Sequence, residues 1–341
     1  MTISTPDNNI KSRIAGAVYG QAIGDALGMP SELWPRERVK SFFGEITDFL
    51  DGPAENNAAC YFKKGEFTDD TSMALAVADA VIERKGDIDP VLIGQNILAW
   101  AYRIDAFNKN ILGPTSKVAL NAIKEGIPVS ELPNNGMTNG AAMRIAPVAS
   151  MLSTACVDHF IEDVFQLSSA THKSDVALAG AVAVAWSVAR AIDGISWEAI
   201  KAELPEIAEK AQKRNITTFS ASMARRIELG FDLVKNSNGD EDASEKVYHI
   251  LGTGTGVIES VPAALAMVEL AETDPNRCAL LCANLGGDTD TIGAMATAIC
   301  GAIRGVEAFK PYYMDTINER NDLNLDRYVD LLEQLRIQRG E

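Results

Sequence analysis

The sequence predicts an all-α fold, built as one large compact helical domain over residues 1–341. Three observations carry that expectation. Alternating runs of Val, Ile and Thr punctuated by hairpin turns are nearly absent. Ala-rich windows with apolar residues three and four apart recur along the chain. No segment has the length or composition of a flexible interdomain linker, although 341 residues could accommodate two modest domains.

The first expected helix carries Gly16, Gly20, Gly24 and Gly28 on one face, at a repeat of four. Glycine costs about 1 kcal/mol per helical position relative to Ala. Such a stripe therefore needs a return, and close packing of another helix supplies it more readily than a ligand does. Residues 44–66 follow, with Gly52-Pro53, Asn56-Asn57, Gly65 and little periodicity. A loop of that length inside a compact domain is usually functional, and a lid over a site is expected. The run after Thr71 is apolar almost all round, with Ser72, Asp79 and Glu83 on its polar edge, so it predicts a central buried helix. Further breaks fall at Gly113-Pro114 and at 133–136, 236–242 and 252–256. Residues 291–303 repeat the buried pattern, and Leu325, Tyr328, Leu331, Leu332 and Leu335 mark an amphipathic helix near the C-terminus. The most apolar runs, 176–192 and 292–303, read as too short or too interrupted by charge to span a bilayer.

Composition narrows the partners. The chain has 47 acids against 31 bases and a formal charge of −16. That balance argues against a nucleic-acid backbone or an anionic membrane surface as the main partner. Hydrophobic residues reach 47% but aromatics only 6%, so the core must be built from Ala, Leu, Ile, Val and Met. Cys60, Cys156, Cys278, Cys282 and Cys300 are odd in number, and no second pair completes a zinc site. They read as free buried thiols in a reducing cytoplasm. Residues 1–9 are polar and contain Pro6 and Asp7, unlike a secretory signal. A cytoplasmic protein is expected, with its oligomeric state left open.

Two short acidic clusters lie more than two hundred residues apart, Thr68-Asp69-Asp70-Thr71 and Asp288-Thr289-Asp290-Thr291. Each sits at the mouth of an apolar, helix-like run. Any single aspartate there reads as an N-cap, but a helix needs one cap and here there are spares. Four carboxylates and several hydroxyls form a hard, all-oxygen set that suits Mg²⁺ or Mn²⁺ better than Zn²⁺ or Cu²⁺. Clusters from opposite ends that look like one site also favour a single domain.

Five segments occur in order: Gly24-Asp25-Ala26-Leu27-Gly28, Phe67-Thr68-Asp69-Asp70-Thr71, Asn139-Gly140-Ala141-Ala142-Met143-Arg144, Thr171-His172, and Gly286-Gly287-Asp288-Thr289-Asp290-Thr291-Ile292-Gly293. Together they resemble the ADP-ribosylglycohydrolase family, which includes the enzyme that de-modifies dinitrogenase reductase. The resemblance implies a two-metal centre at the base of a cleft in an all-α fold. It places two Mg²⁺ (or Mn²⁺) on Thr68, Asp69, Asp70, Asp288, Asp290 and Thr291. It also implies that Glu32 lies beside the metals and serves chemistry or gating, where the residues alone suggest a surface carboxylate. Glu32 and Asp69 are the catalytic candidates.

Asn139, Gly140 and Ala141 open another expected helix, where small residues let backbone N–H groups approach an anion. The resemblance implies that they contact the ligand's phosphates or ribose. Arg144 reads equally as a phosphate partner or as part of a buried ion pair. His172 matches the family's Thr-His pair and is expected to touch substrate, with His159 and His249 on the surface. Asp25 reads equally as a packing residue or a site residue. Residues 252–256 lack a preceding strand and read as a turn lining the cleft. One departure stands out. Many relatives carry an Asp-Ile-Gly-like segment followed by Thr, whereas this chain reads Asn108-Lys109-Asn110-Ile111-Leu112-Gly113-Pro114-Thr115. The missing carboxylate would be a natural partner for a guanidinium.

The expected activity is metal-dependent hydrolysis of a ribosyl C1 glycosidic bond, releasing ADP-ribose from an ADP-ribosylated protein or small molecule. A small-molecule ribosyl or nucleoside hydrolase using the same site is the nearest alternative. A non-catalytic ADP-ribose binder or structural protein is the alternative of another class, against which the intact acids argue.

Overall fold

The computed structural model describes residues 6–109, 111–132 and 135–340. Helical periodicity is realised there as sixteen α-helices, with no β-strand among the described residues. The first six are α1 (Pro6–Gly28), α2 (Arg36–Phe43), α3 (Asp69–Glu83), α4 (Pro90–Arg103), α5 (Pro114–Lys124) and α6 (Ala146–Ala149). Next come α7 (Val157–Ser168), α8 (Asp175–Ile192), α9 (Trp197–Gln212), α10 (Met223–Lys235) and α11 (Asp240–Lys246). The last five are α12 (Val257–Leu270), α13 (Pro275–Ala283), α14 (Thr289–Arg304), α15 (Pro311–Arg320) and α16 (Leu325–Gly340). Proline opens α4, α5, α13 and α15, a position where its missing N–H costs nothing.

The glycine stripe explains the architecture. Helices α1 and α14 run antiparallel with backbones in contact, so Gly16 meets Gly301, Gly20 meets Thr297, Gly24 meets Gly293 and Gly28 meets Thr289. A Cβ at any of the four α1 glycines would strike a carbonyl of α14. Every residue of α14 from Thr289 to Ala302 is buried. Helix α8 is buried apart from Arg190. It is long and apolar enough, by length and composition, to cross a membrane, which is more than its sequence suggested; 94% of it is buried within the protein, as in a core helix. One continuous core runs through these elements, mostly Ala, Ile, Leu, Val and Met but with all four tryptophans and several Phe and Tyr rings among them.

The 44–66 segment, expected as a lid, is tied to the body of the protein at Ile46 and Phe49. The Ile46 N–H donates to Asn284 Oδ1 (2.8 Å) and the Asn284 amide returns a bond to the Ile46 carbonyl (2.9 Å). Phe49 is buried edge-to-face against Tyr313. All five cysteines are free, but only Cys278, Cys282 and Cys300 are buried; Cys156 is exposed because it precedes α7 at the surface.

Candidate active site

At α3 the acidic side chains are not the helix cap, because other residues do that work. Thr68 is the N-cap of α3, and Asp25 of α1 holds the turn from outside. The Asp25 carboxylate accepts from the Thr68 N–H and hydroxyl (both 2.9 Å) and from the Thr71 N–H (3.0 Å) and hydroxyl (2.6 Å). Four donors saturate Asp25, which makes it a positioning residue and leaves Asp69 and Asp70 without a part in capping α3. At α14, Asp288 stands at the N-cap position without capping the helix. Its carboxylate accepts from Asn139 Nδ2 (2.5 Å), while its N–H donates to the Thr253 carbonyl (2.7 Å).

The α1–α14 register brings the two clusters together. Thr68 Oγ1 lies 3.3 Å from Asp70 Oδ2 and 3.4 Å from Asp290 Oδ2, across 222 residues of sequence. Glu32 joins them, since its carboxylate and those of Asp288 and Asp290 offer oxygens all within 4.8 Å of one another. Two contacts fix the Glu32 backbone. The Leu33 N–H donates to the Gly287 carbonyl (2.7 Å) and the Gly287 N–H to the Trp34 carbonyl (2.8 Å), zipping this segment to the loop before Asp288. Gly286 and Gly287 both sit at φ +85°, and a Cβ at Gly286 would come within 2.7 Å of the Arg36 backbone. From the other side, Asn56 Nδ2 donates to the Glu32 carbonyl (2.8 Å), while its Oδ1 accepts from the N–H groups of Ala58 and Ala59. Sequence reasoning missed Asn56: an Asn-Asn pair in a loop signals a turn, and only the folded chain supplies its partners.

The electrostatics follow from crowding. Burial, then the charges of Asp69, Asp288 and Asp25, holds the Glu32 carboxyl well above its usual range. Burial with the surrounding carboxylates does the same to Asp70 and Asp290. Burial, then the charge of Asp25, pushes Asp69 up to about 8, and burial raises Asp25 and Asp288 to about 6. Asp70 Oδ1 and Asp290 Oδ1 are buried with no hydrogen-bond partner. A buried, unpartnered carboxylate oxygen is costly, and a hard divalent cation is the partner that this oxygen set fits. Arg144 supplies a countercharge: it is buried, donates to Thr171 Oγ1 (2.6 Å), and its charge favours ionised Asp69.

A cavity of about 170 Å³ opens over these acids. Glu32, Asp69, Asp70, Asp288, Asp290 and Thr291 line it, opposed by Leu33, Ile111, Leu112, Gly113, Pro114, Ser116, Thr138, Asn139, Gly140, Met143 and Thr255. Asn110, part of the departing stretch, lies outside the described residues. Two larger hollows, of about 700 and 730 Å³, lie elsewhere without the clustered carboxylates. Asn139 and Gly140 thus reach the cavity as expected, but Thr68, Ala141 and His172 do not line it. Ala141 is buried in the core behind it. His172 packs beneath Gly140, where an added Cβ would sit 2.8 Å from its Cε1. There its ring joins the Thr171 and Thr138 hydroxyls (2.7 and 2.9 Å), and burial, helped by the Arg144 charge, lowers it to about 3. His172 therefore supports Thr138 as a neutral imidazole. His159 and His249 are exposed.

The profile described as ADP-ribosylglycohydrolase matches residues 6–340. The chain is 64% identical over 327 residues to the uncharacterized protein YegU of Escherichia coli (strain K12), covering 96% of this chain and 98% of that one. It is 28% identical to the ADP-ribosylarginine hydrolase Tri1 of Pseudomonas putida (strain GB-1), over 92% of this chain and 76% of that one. It is 27% identical to the ADP-ribosylhydrolase ARH3 of Bos taurus, over 87% and 86%. A solved structure described as an ADP-ribosylglycohydrolase-related protein complex shares the fold with a TM-score of 0.71 at 25% identity, over 97% of this chain and 99% of that one. With its helical fold and its acid-lined cavity, this chain belongs to the ADP-ribosylglycohydrolase family and is a glycoside hydrolase.

Proposed function

We infer that the protein hydrolyses the C1 glycosidic bond of a ribose in an ADP-ribosyl adduct and depends on two Mg²⁺ or Mn²⁺ ions. The observation that carries this reading is the convergence of two distant acid clusters on one small cavity, with Asp70 Oδ1 and Asp290 Oδ1 left unpartnered. Thr68, Asp69, Asp70, Asp288, Asp290 and Thr291 would hold the ions. When bound, the ions polarise a ribose oxygen or a water and offset developing charge. Asn139 orients Asp288 through its 2.5 Å bond, and Asp25 orients the α3 ligands. Glu32, half-buried and drawn towards its protonated form, handles the proton exchanged between water and the leaving atom. Cleavage at this carbon passes through an oxocarbenium-like state, which surrounding carboxylates favour. A cavity of this size takes little more than the ribose. The nucleotide then extends past Gly113 and Gly140, where backbone N–H groups and the α5 N-terminus suit a diphosphate. Free thiols fit a reducing compartment, and we place the protein in the cytoplasm on that ground.

The test is turnover by purified protein, with and without Mn²⁺, of ADP-ribosylated peptides beside a nucleoside panel. Release of ADP-ribose only with metal is the expected result. Turnover of nucleosides alone would replace this reading with small-molecule ribosyl hydrolysis.

A further inference from the structure

The hollow of about 700 Å³ has no part in the hydrolytic reading and shares no described lining residue with the acid-lined cavity. Its volume falls within the roughly 300–1,000 Å³ in which proteins hold small molecules. The walls are Pro90 and Val91 at the start of α4, Ile123 near the end of α5, Ile127 and Pro128 beyond it, and Phe165 of α7. Gly126, at φ +81°, makes the turn after α5 that carries Ile127 and Pro128 onto the hollow. All six wall residues are apolar, and Val91 and Ile127 stay exposed to solvent.

Lys173 is the one charged side chain among the described lining residues. It is half-buried just before α8, with no described carboxylate within ion-pair distance. Burial lowers its pKa from the ordinary lysine value, and no neighbouring acid raises it. Its ammonium donates to the carbonyls of Val129, Ser130 (3.3 Å) and Leu132 (3.5 Å). Those dipoles take up its protons but leave its charge unmatched, and the last two contacts are long. A cation drawn partly out of water without a countercharge costs free energy, and an anion is the partner that offsets this.

The chemistry of the ligand follows from this lining. One cation asks for one negative charge. A phosphate monoester brings close to two and would set its remaining oxygens against apolar walls. A carboxylate matches the charge, and an alkyl body of several carbons removes the apolar walls from water. We propose that this hollow is a second ligand site, taking a medium-chain carboxylate whose charged end pairs with Lys173. The neutral Gln95 amide and Ser130 hydroxyl, which also line it, offer donors to the other carboxylate oxygen.

Calorimetric titration of the full chain with octanoate, octan-1-ol and octylamine provides the test, with chelator present so that no metal ion attracts the carboxylate. One octanoate per chain is expected, bound at least about tenfold more tightly than the alcohol, since a hydrogen bond to a charged group is worth that much. Octylamine should not bind. Affinity should rise about threefold to fourfold per methylene from butanoate to octanoate, as burial in an apolar hollow requires. No saturable octanoate binding at millimolar concentration would overturn the proposal, as would an alcohol or amine that binds as tightly or an affinity indifferent to chain length. Lys173 also fastens the 129–132 backbone, so two variants locate the site. Lys173→Met removes the charge, and Ile127→Glu sets a like charge on the wall at an exposed position. Each should weaken octanoate at least about tenfold. If both fold and bind octanoate as wild type does, the carboxylate sits elsewhere and the proposal falls.

Discussion

Gly24 and Gly293 lie backbone against backbone, and a Cβ on either would collide with the other's carbonyl group. This contact sets more than packing. It lies one helical turn from Gly28 and Thr289, where the Thr289 hydroxyl donates to the Gly28 carbonyl (2.8 Å), and that seam delivers Asp290 to Thr68.

Gly24→Ala should therefore destabilise the fold, by about 1–3 kcal/mol or more as overpacked sites do, and should weaken metal binding. Gly256→Ala is the control, because an added Cβ there meets nothing within 4 Å. Chemical denaturation and metal titration of both variants check this. Equal stability of Gly24→Ala and wild type would mean that the helices can separate at little cost.

Removing the Asn56 amide should loosen Glu32. Asn56→Ala is expected to lower kcat by about 10–100-fold, the usual cost of losing a supporting hydrogen bond at such a site. Asn56→Asp retains the acceptor for Ala58 and Ala59 but cannot donate to the Glu32 carbonyl, so it should not rescue turnover. If Asn56→Asp were as active as wild type, the clamp would not matter to catalysis.

Glu32→Gln separates proton handling from ion binding. Gln keeps the size of the side chain but cannot exchange a proton at working pH. A kcat loss of about 10²–10⁴-fold with metal affinity retained would match an acid–base group. Since Glu32 also lies within ligand distance of Asp288 and Asp290, calorimetry must accompany the kinetics. Lost metal affinity would make Glu32 a ligand instead.

Stability of the metal-free protein should fall as pH rises. The folded state keeps protons on Asp288 and Asp25 to about 6 and on Asp69 to about 8, whereas an unfolded aspartate releases its proton near about 4. Between those values the native state binds more protons than the unfolded chain, so the slope of stability against pH is negative. Metal ions displace these protons, so their stabilising effect should grow over the same window. Melting temperatures at pH 5 and pH 8, with chelator and with Mn²⁺, read this directly. A metal-free protein that melts higher at pH 8 would contradict the crowded-acid account.

The helical fold, the buried character of α3 and α14 and both acid clusters were legible in the sequence, because local periodicity and paired side-chain chemistry are written residue by residue. The glycine repeat likewise announced a close partner for α1, since four glycines in one helix are tolerated only where backbones touch. Which helix that partner would be was not legible, because the repeat states a spacing and not an address. The roles of Asp25, Asn56 and His172 were also decided in three dimensions. Asp25 became the outside cap of α3, Asn56 the clamp on Glu32, and His172 a buried neutral support for Thr138 rather than a cavity residue. Each is a polar group whose meaning depends on the donors and acceptors that surround it. Those partners come from segments tens to hundreds of residues away, and a one-dimensional pattern contains no term for them.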